Sequence, residues 1–129
     1  MSDHLNEDIL HSATAMICEN SEEPPADYLE RAPFIIGQFY LQFEKLDERC
    51  RKAYGRQKDY ALGSVYAMLE QDFLFVPELG PAAIYYLASM LVMDENEMLG
   101  ERLFDLFADA ISTLEASLPF QKEKISQVY

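Results

Sequence analysis

The residues able to bind a metal or move a proton are few, and their spacing is poor for either task. Histidine occurs twice, as His4 and His11. Asp8 lies about one helical turn from each, so Asp8 and His11 could share a cation. A zinc site requires three or four ligands, and a carboxylate-bridged di-iron bundle requires two Glu-x-x-His pairs. The sequence supplies neither, and both histidines read as surface residues. Asp94-Glu95-Asn96-Glu97 has the composition of a calcium loop. An EF-hand, however, places an oxygen ligand fifth and a glycine sixth, where this chain has Met98 and Leu99. The run reads instead as a turn that starts a helix. No Gly-x-Ser-x-Gly elbow occurs and no His–acid partner set appears. The expectation is a protein that is not an enzyme and holds no metal or cofactor.

The charged residues are more informative. The formal net charge is −13, which disfavours general binding to nucleic acid or anionic lipid and favours basic partners. Glu101, Asp105 and Asp109 recur at i, i+4 and i+8. They form either a solvated stripe or a docking face for a basic surface; the like-charge cost is only a few tenths of a kcal/mol per pair. Arg49, Arg51, Lys52, Arg56 and Lys58 are the basic cluster of an acidic chain. They sit at a helix C-terminus, where cations are favoured. They read either as a solvated cap or as a head-to-tail contact with a neighbour's acidic first thirty residues, with nucleic acid a distant third. Cys18 and Cys50 match no Cys-x-x-Cys spacing and read as free, buried thiols.

These groups must be carried by helices. Leu5, Ile9, Ala13, Met16 and Ile17 define an amphipathic helix from about Leu5 to Glu19, and the Asn20–Pro25 linker ends it. A second helix begins near Asp27 or restarts at Pro33, and runs to about Tyr54 with Gly55 as its stop. Its row of Ala32, Ile35, Phe39, Phe43, Leu46 and Cys50 is joined by a second row of Phe34, Tyr40 and Leu41. Two rows imply a helix that is central in the bundle or touches another subunit. Residues 56–76 read as a long ordered loop with a short helix around Val65 to Leu69. Its aromatics Tyr60, Tyr66, Phe73 and Phe75 require it to be held on the fold or on a neighbour. A third helix starts at Pro81 and ends near Met93, with Ile84, Leu87, Ala88 and Leu91 inward. A fourth runs from about Glu97 to Ser117, with Leu99, Leu103, Leu106, Phe107, Ala110, Ile111 and Leu114 inward and Pro119 as its end. Phe120–Tyr129 reads as a mobile tail.

Together these elements predict one all-α domain over residues 1–129, a small bundle of four to five helices. The acidic N-terminus lacks the basic start and apolar core of a signal peptide. The longest uncharged run, Leu79 to Met93, is shorter than the roughly 20 residues of a membrane span. The expected location is the cytoplasm.

The segments ADYLERAPFIIGQFYLQFEKLDERCRKAYG and VPELGPAAIYYLASMLVMDENEMLGERLFDLFADAISTLEASLP, separated by the long loop, resemble the small all-α head–tail connector proteins of tailed bacteriophages and prophages. The resemblance lies in pattern and order: a tyrosine-bearing helix, a variable loop, an acidic-proline turn, an Ala-Tyr-Leu-Ala type helix, an acidic turn and a last helix with aromatic core residues. It spans Ala26–Tyr54 and Pro77–Leu118. It implies a ring-forming structural subunit between portal and tail, made in the host cell and incorporated into the virion, with no active-site residues to carry over. The alternatives are a bacterial adaptor module whose acidic surface binds a basic protein, and a small metal- or ligand-binding bundle.

Overall fold

The computed structural model describes residues 5–18, 23–64 and 66–119. His4, Val65, residues 20–22 of the Asn20–Pro25 linker and the Phe120–Tyr129 tail lie outside this set. The described chain folds as four helices: α1 (Asn6–Ile17), α2 (Ala26–Ala53), α3 (Gly80–Val92), preceded by a 3-10 turn at Pro77–Leu79, and α4 (Glu97–Ser117). No β-strand forms among the described residues. A single isolated bridge pairs Leu5 with Asp72.

Local chemistry accounts for most helix ends. The Leu5 amide, just ahead of α1, donates to Asp8 Oδ2 at 2.7 Å. Asn96 caps α4 by accepting from the Leu99 amide at 3.1 Å, so the acidic turn is a helix start. Gly55, at φ 70°, takes the left-handed conformation that ends α2 at low cost. Arg31 reaches from α2 to the C-terminal end of α3 and donates to the carbonyls of Met90 at 2.9 Å and Leu91 at 3.2 Å. Two orphan acceptors at a helix terminus are thereby satisfied.

α2 begins at Ala26, beside Asp27, the first of the two expected starts, and two features mark its interior. Pro33 lies inside the helix and not in its first turn. Loss of one backbone bond to Pro33 is outweighed by burial of Tyr28, Ala32, Ile36 and Phe39 on either side of it. The backbone also leaves helical geometry at Phe43 (φ −118°, ψ 15°), so α2 is two helical stretches joined at a kink. The central element is α3, which packs against α1, α2 and α4. It buries Ala82, Ala83, Tyr86, Leu87, Ala88, Ser89, Leu91 and Val92, a wrap-round burial that its almost uninterrupted apolar sequence permits. Of the second row of α2, Tyr40 is buried while Phe34 and Leu41 are 53% and 47% exposed. α2 is therefore not the enclosed helix of the bundle.

The α3–α4 hairpin closes tightly at Gly100. A Cβ there would lie 2.7 Å from Met93 Sδ and 3.0 Å from Met93 Cα, and Ser89 Oγ donates to the Gly100 carbonyl at 2.8 Å. Phe107 of α4 enters the core and meets Phe39, Phe43, Tyr86 and Phe104 with ring centroids 5.2 to 6.5 Å apart. Leu106, assigned inward by periodicity, is 40% exposed.

The segment between α2 and the 3-10 turn contains no helix among its described residues; the expected short helix is replaced by irregular chain and a turn at Leu69–Glu70. It is held firmly nonetheless. The Asn6 and Glu7 amides donate to the Gln71 and Leu69 carbonyls, each at 2.9 Å, and the Ala67 amide donates to the Pro33 carbonyl at 2.9 Å. Phe73 and Phe75 are buried and Tyr60 is half-buried.

Candidate interaction surfaces

The strongest constellation of polar groups is one that the charge pattern alone conceals. Asp47 is fully buried. Its Oδ2 accepts from Arg51 Nε at 2.9 Å and from the Tyr60 hydroxyl at 2.6 Å, and its Oδ1 accepts from the Val76 amide at 2.8 Å. Arg51 also donates to the Gln57 carbonyl at 2.7 Å, the Leu74 carbonyl at 2.8 Å and Asp59 at 3.3 Å. Its guanidinium lies 5.3 Å from the centre of the Tyr60 ring. Burial, followed by the hydrogen bond to Asp47, pushes the Tyr60 hydroxyl well above its ordinary pKa. Every strong donor and acceptor in this cluster is matched, so it fastens the loop to α2 and leaves no group poised for a substrate.

Arg51 is thus corrected from a candidate surface residue to a buried tie, and most of the basic cluster is engaged within the chain. Arg49 lies 3.6 Å from Glu115. Arg56 meets both carboxylate oxygens of Glu78 at 3.1 and 3.4 Å, and its guanidinium lies over the Tyr54 ring. Lys58 meets Glu44 at 2.6 Å and Glu48 at 3.0 Å, hydrogen bonds that raise its pKa. Lys52 is exposed and makes no ion pair among the described residues. A concentrated basic surface of five residues therefore does not exist.

A second polar tie joins α1, α2 and the loop. The Tyr40 hydroxyl donates to Asn6 Oδ1 at 2.6 Å and accepts from the Leu74 amide at 3.0 Å, and Asn6 Nδ2 donates to the Met68 carbonyl at 2.8 Å. Burial raises the Tyr40 pKa strongly. Near the other end of α2, Tyr28 donates to Glu95 at 3.2 Å, and burial with the Glu95 charge pushes its hydroxyl up to about 12. Of the loop aromatics, Phe73 and Phe75 are core residues. Tyr66 is 47% exposed and meets Phe34 edge-on with centroids 4.9 Å apart.

Among the described residues no group of three or more His, Cys, Asp or Glu could hold a metal ion. His11 is exposed and Asp8 is engaged at the start of α1. The two cysteines are free; Cys50 is buried and Cys18 half-buried. Burial, then the charges of Asp47 and Glu78, pushes the Cys50 thiol up to about 11, the opposite of nucleophile activation.

What the molecule presents outward is apolar and acidic. Glu101, Asp105 and Asp109 all stand exposed on α4 and make no ion pair among the described residues. Beside them an open, mainly apolar groove of about 580 Å³ runs between α4 and the start of α3, lined by Tyr54, Pro81, Tyr85, Leu106 and Leu114 with Asp109 and Glu78 at its edge. The groove is formed by residues far apart in the chain, so no sequence pattern announced it. On α2, Phe34 and Leu41 stand exposed with Tyr66 beside Phe34.

These features define a small all-α bundle whose polar clusters hold the fold and whose outward features are helix faces and a shallow apolar groove. No described helix is long and apolar enough to cross a membrane. Comparison of the chain with protein-family models, with characterised proteins and with solved structures finds no match.

Proposed function

We propose that this chain is a structural assembly subunit of the head–tail connector kind, working between the portal and tail of a phage or prophage particle. The observation that carries this reading is the division of labour among the side chains. Of the groups with chemical potential, Asp47, Arg51, Tyr40 and Cys50 are buried in ties or in the core, and half-buried Tyr60 is hydrogen-bonded to Asp47. Large apolar side chains are exposed on α2 and α4 instead, with Phe34 at 53%, Leu41 at 47%, Phe104 and Leu106 at 40% and Met98 at 75%. Solitary exposed apolar residues are ordinary, but Phe34 and Leu41, seven residues apart, share one side of α2, and such grouping suits association. The sequence resemblance over α2, α3 and α4 supplies the particular assembly, and an acidic exterior suits a subunit beside a DNA channel, since it offers phosphates no counter-charge.

Size in solution tests the proposal. Sedimentation velocity and native mass spectrometry across rising concentration are expected to show oligomers, and electron microscopy closed rings. A strictly monomeric protein at high concentration would count against assembly. The acidic stripe of α4, without an ion pair among the described residues, favours one other reading, an adaptor that captures a basic protein partner; one-to-one binding by a monomer would select it.

A further inference from the structure

We infer that copies of this chain associate head to tail, with the outer face of α2 of one copy lying on the outer face of α4 and the adjoining groove of the next. This rests on the assembly reading and specifies its contact. Phe34, Gln38 and Leu41 recur at i, i+4 and i+7, share one side of α2 and are all exposed; Tyr66 widens this ridge beside Phe34. Beyond the kink at Phe43, Lys45 and Lys52 stand exposed and make no ion pair among the described residues. Glu48, between them, shares the single charge of Lys58 with Glu44, at 3.0 and 2.6 Å, and Glu30 stands at the far end of the stretch. This face is an apolar ridge that continues into two lysines with no ion-pair partner among the described residues.

The outer side of α4 is its complement. Glu101, Asp105 and Asp109 form an exposed row with Arg102 at its edge. Phe104 and Leu106, each 40% exposed, flank the row, and Leu106 and Asp109 lead into the groove. The two faces look in opposite directions. Phe39 and Phe43, on the far side of α2 from the ridge, pack on Phe107 with centroids 6.5 and 5.5 Å apart, and Phe107 lies on the far side of α4 from the acidic row. A symmetric contact would set lysine on lysine or carboxylate on carboxylate. A heterologous contact sets unlike charges together and leaves both faces of every copy in use.

The test uses two full-length variants, Lys45→Glu/Lys52→Glu and Asp105→Lys/Asp109→Lys, with folding checked by circular dichroism. If either pair disturbs the fold, the neutral pairs Lys45→Gln/Lys52→Gln and Asp105→Asn/Asp109→Asn replace them for the single-variant measurement. Each variant alone is expected to associate at least about tenfold more weakly than the wild type by sedimentation. An equimolar mixture of the charge-reversed variants is expected to assemble again, because every contact between unlike variants pairs opposite charges. Association of either variant within about twofold of wild type, or a mixture that stays dispersed, would overturn this contact and leave the assembly reading standing. A wild type that never associates would instead overturn the assembly reading itself.

Discussion

Replacing Asp47 by alanine isolates the tie between α2 and the loop. The side chain is fully buried, and its removal takes the carboxylate from Arg51, the Tyr60 hydroxyl and the Val76 amide at once. Breaking a buried ion pair from one side costs about 3–5 kcal/mol, and each orphaned buried donor about 1–3 kcal/mol. These terms overlap because one atom group serves all three partners. Arg51 keeps the Gln57 and Leu74 carbonyls, which draws its share toward the low end. The expected loss is therefore about 4 kcal/mol, a large part of the roughly 5–15 kcal/mol that a domain possesses. Urea unfolding followed by far-UV circular dichroism measures it, and the melting temperature should fall by about 15 °C. Hydrogen exchange gives the local signature: the Val76 amide should lose protection more than the Leu91 amide in α3. A loss below about 1 kcal/mol with Val76 still protected would refute the assignment of this cluster as the loop's anchor.

Three further outcomes follow from the packing and ionisation. Gly100→Ala should destabilise the protein by about 1–2 kcal/mol despite alanine's better helix propensity, because the new Cβ meets the Met93 backbone; Gly63→Ala, in the loop with nothing within 4 Å, should be neutral or stabilising in the same urea titration. Iodoacetamide at pH 8 should label half-buried Cys18 first and Cys50 on the order of a hundredfold more slowly, as peptide mapping would report; equal rates would contradict the burial of Cys50. Tyr28, Tyr40 and Tyr60 all have raised folded pKa values, so their contribution to stability is complete below the unfolded value near 10 and is lost as pH rises above about 10 toward the folded values. Absorbance at 295 nm should show these tyrosines un-ionised until the protein unfolds, and an early smooth titration of all eight would exclude their burial.

Helical periodicity made the four helices legible to within a few residues, and Gly55 and Pro81 marked ends that the structure keeps. α4 spans Glu97–Ser117 as its sequence predicts, because its acidic turn, apolar spacing and terminal proline all agree. The misreadings have specific causes. The start of α2 stayed open between Asp27 and a restart at Pro33, and the helix begins at Ala26, since a local rule cannot anticipate how much burial surrounds the missing bond. Arg51 looked like one more cation at a helix end, although Asp47 stood four residues earlier in line with it. That pair could have been suspected from its i, i+4 spacing beside buried Leu46 and Cys50. Its partners Tyr60, Leu74 and Val76 could not, because they reach it only through the path of the loop. Gly63-Ser64 correctly broke the helical pattern, but nothing local located where residues 66–76 would dock. The groove was likewise invisible, being made from the end of α2, the start of α3 and the outer side of α4.

The docking of the loop onto the first turn of α1 bears on the order in which the chain folds. The Asn6 and Glu7 amides, which an isolated helix would leave to water, are satisfied by carbonyls at Gln71 and Leu69, and Asn6 itself is closed by Tyr40 and Met68. α1 thus depends on ring closures spanning more than sixty residues, whereas α3 and α4 meet across a turn of four. Long closures lose chain entropy before they gain contacts. The α3–α4 hairpin is therefore expected to lead folding and α1 to join late, a sequence that φ-values near one at Leu103 and near zero at Ile9 would record and the reverse would disprove.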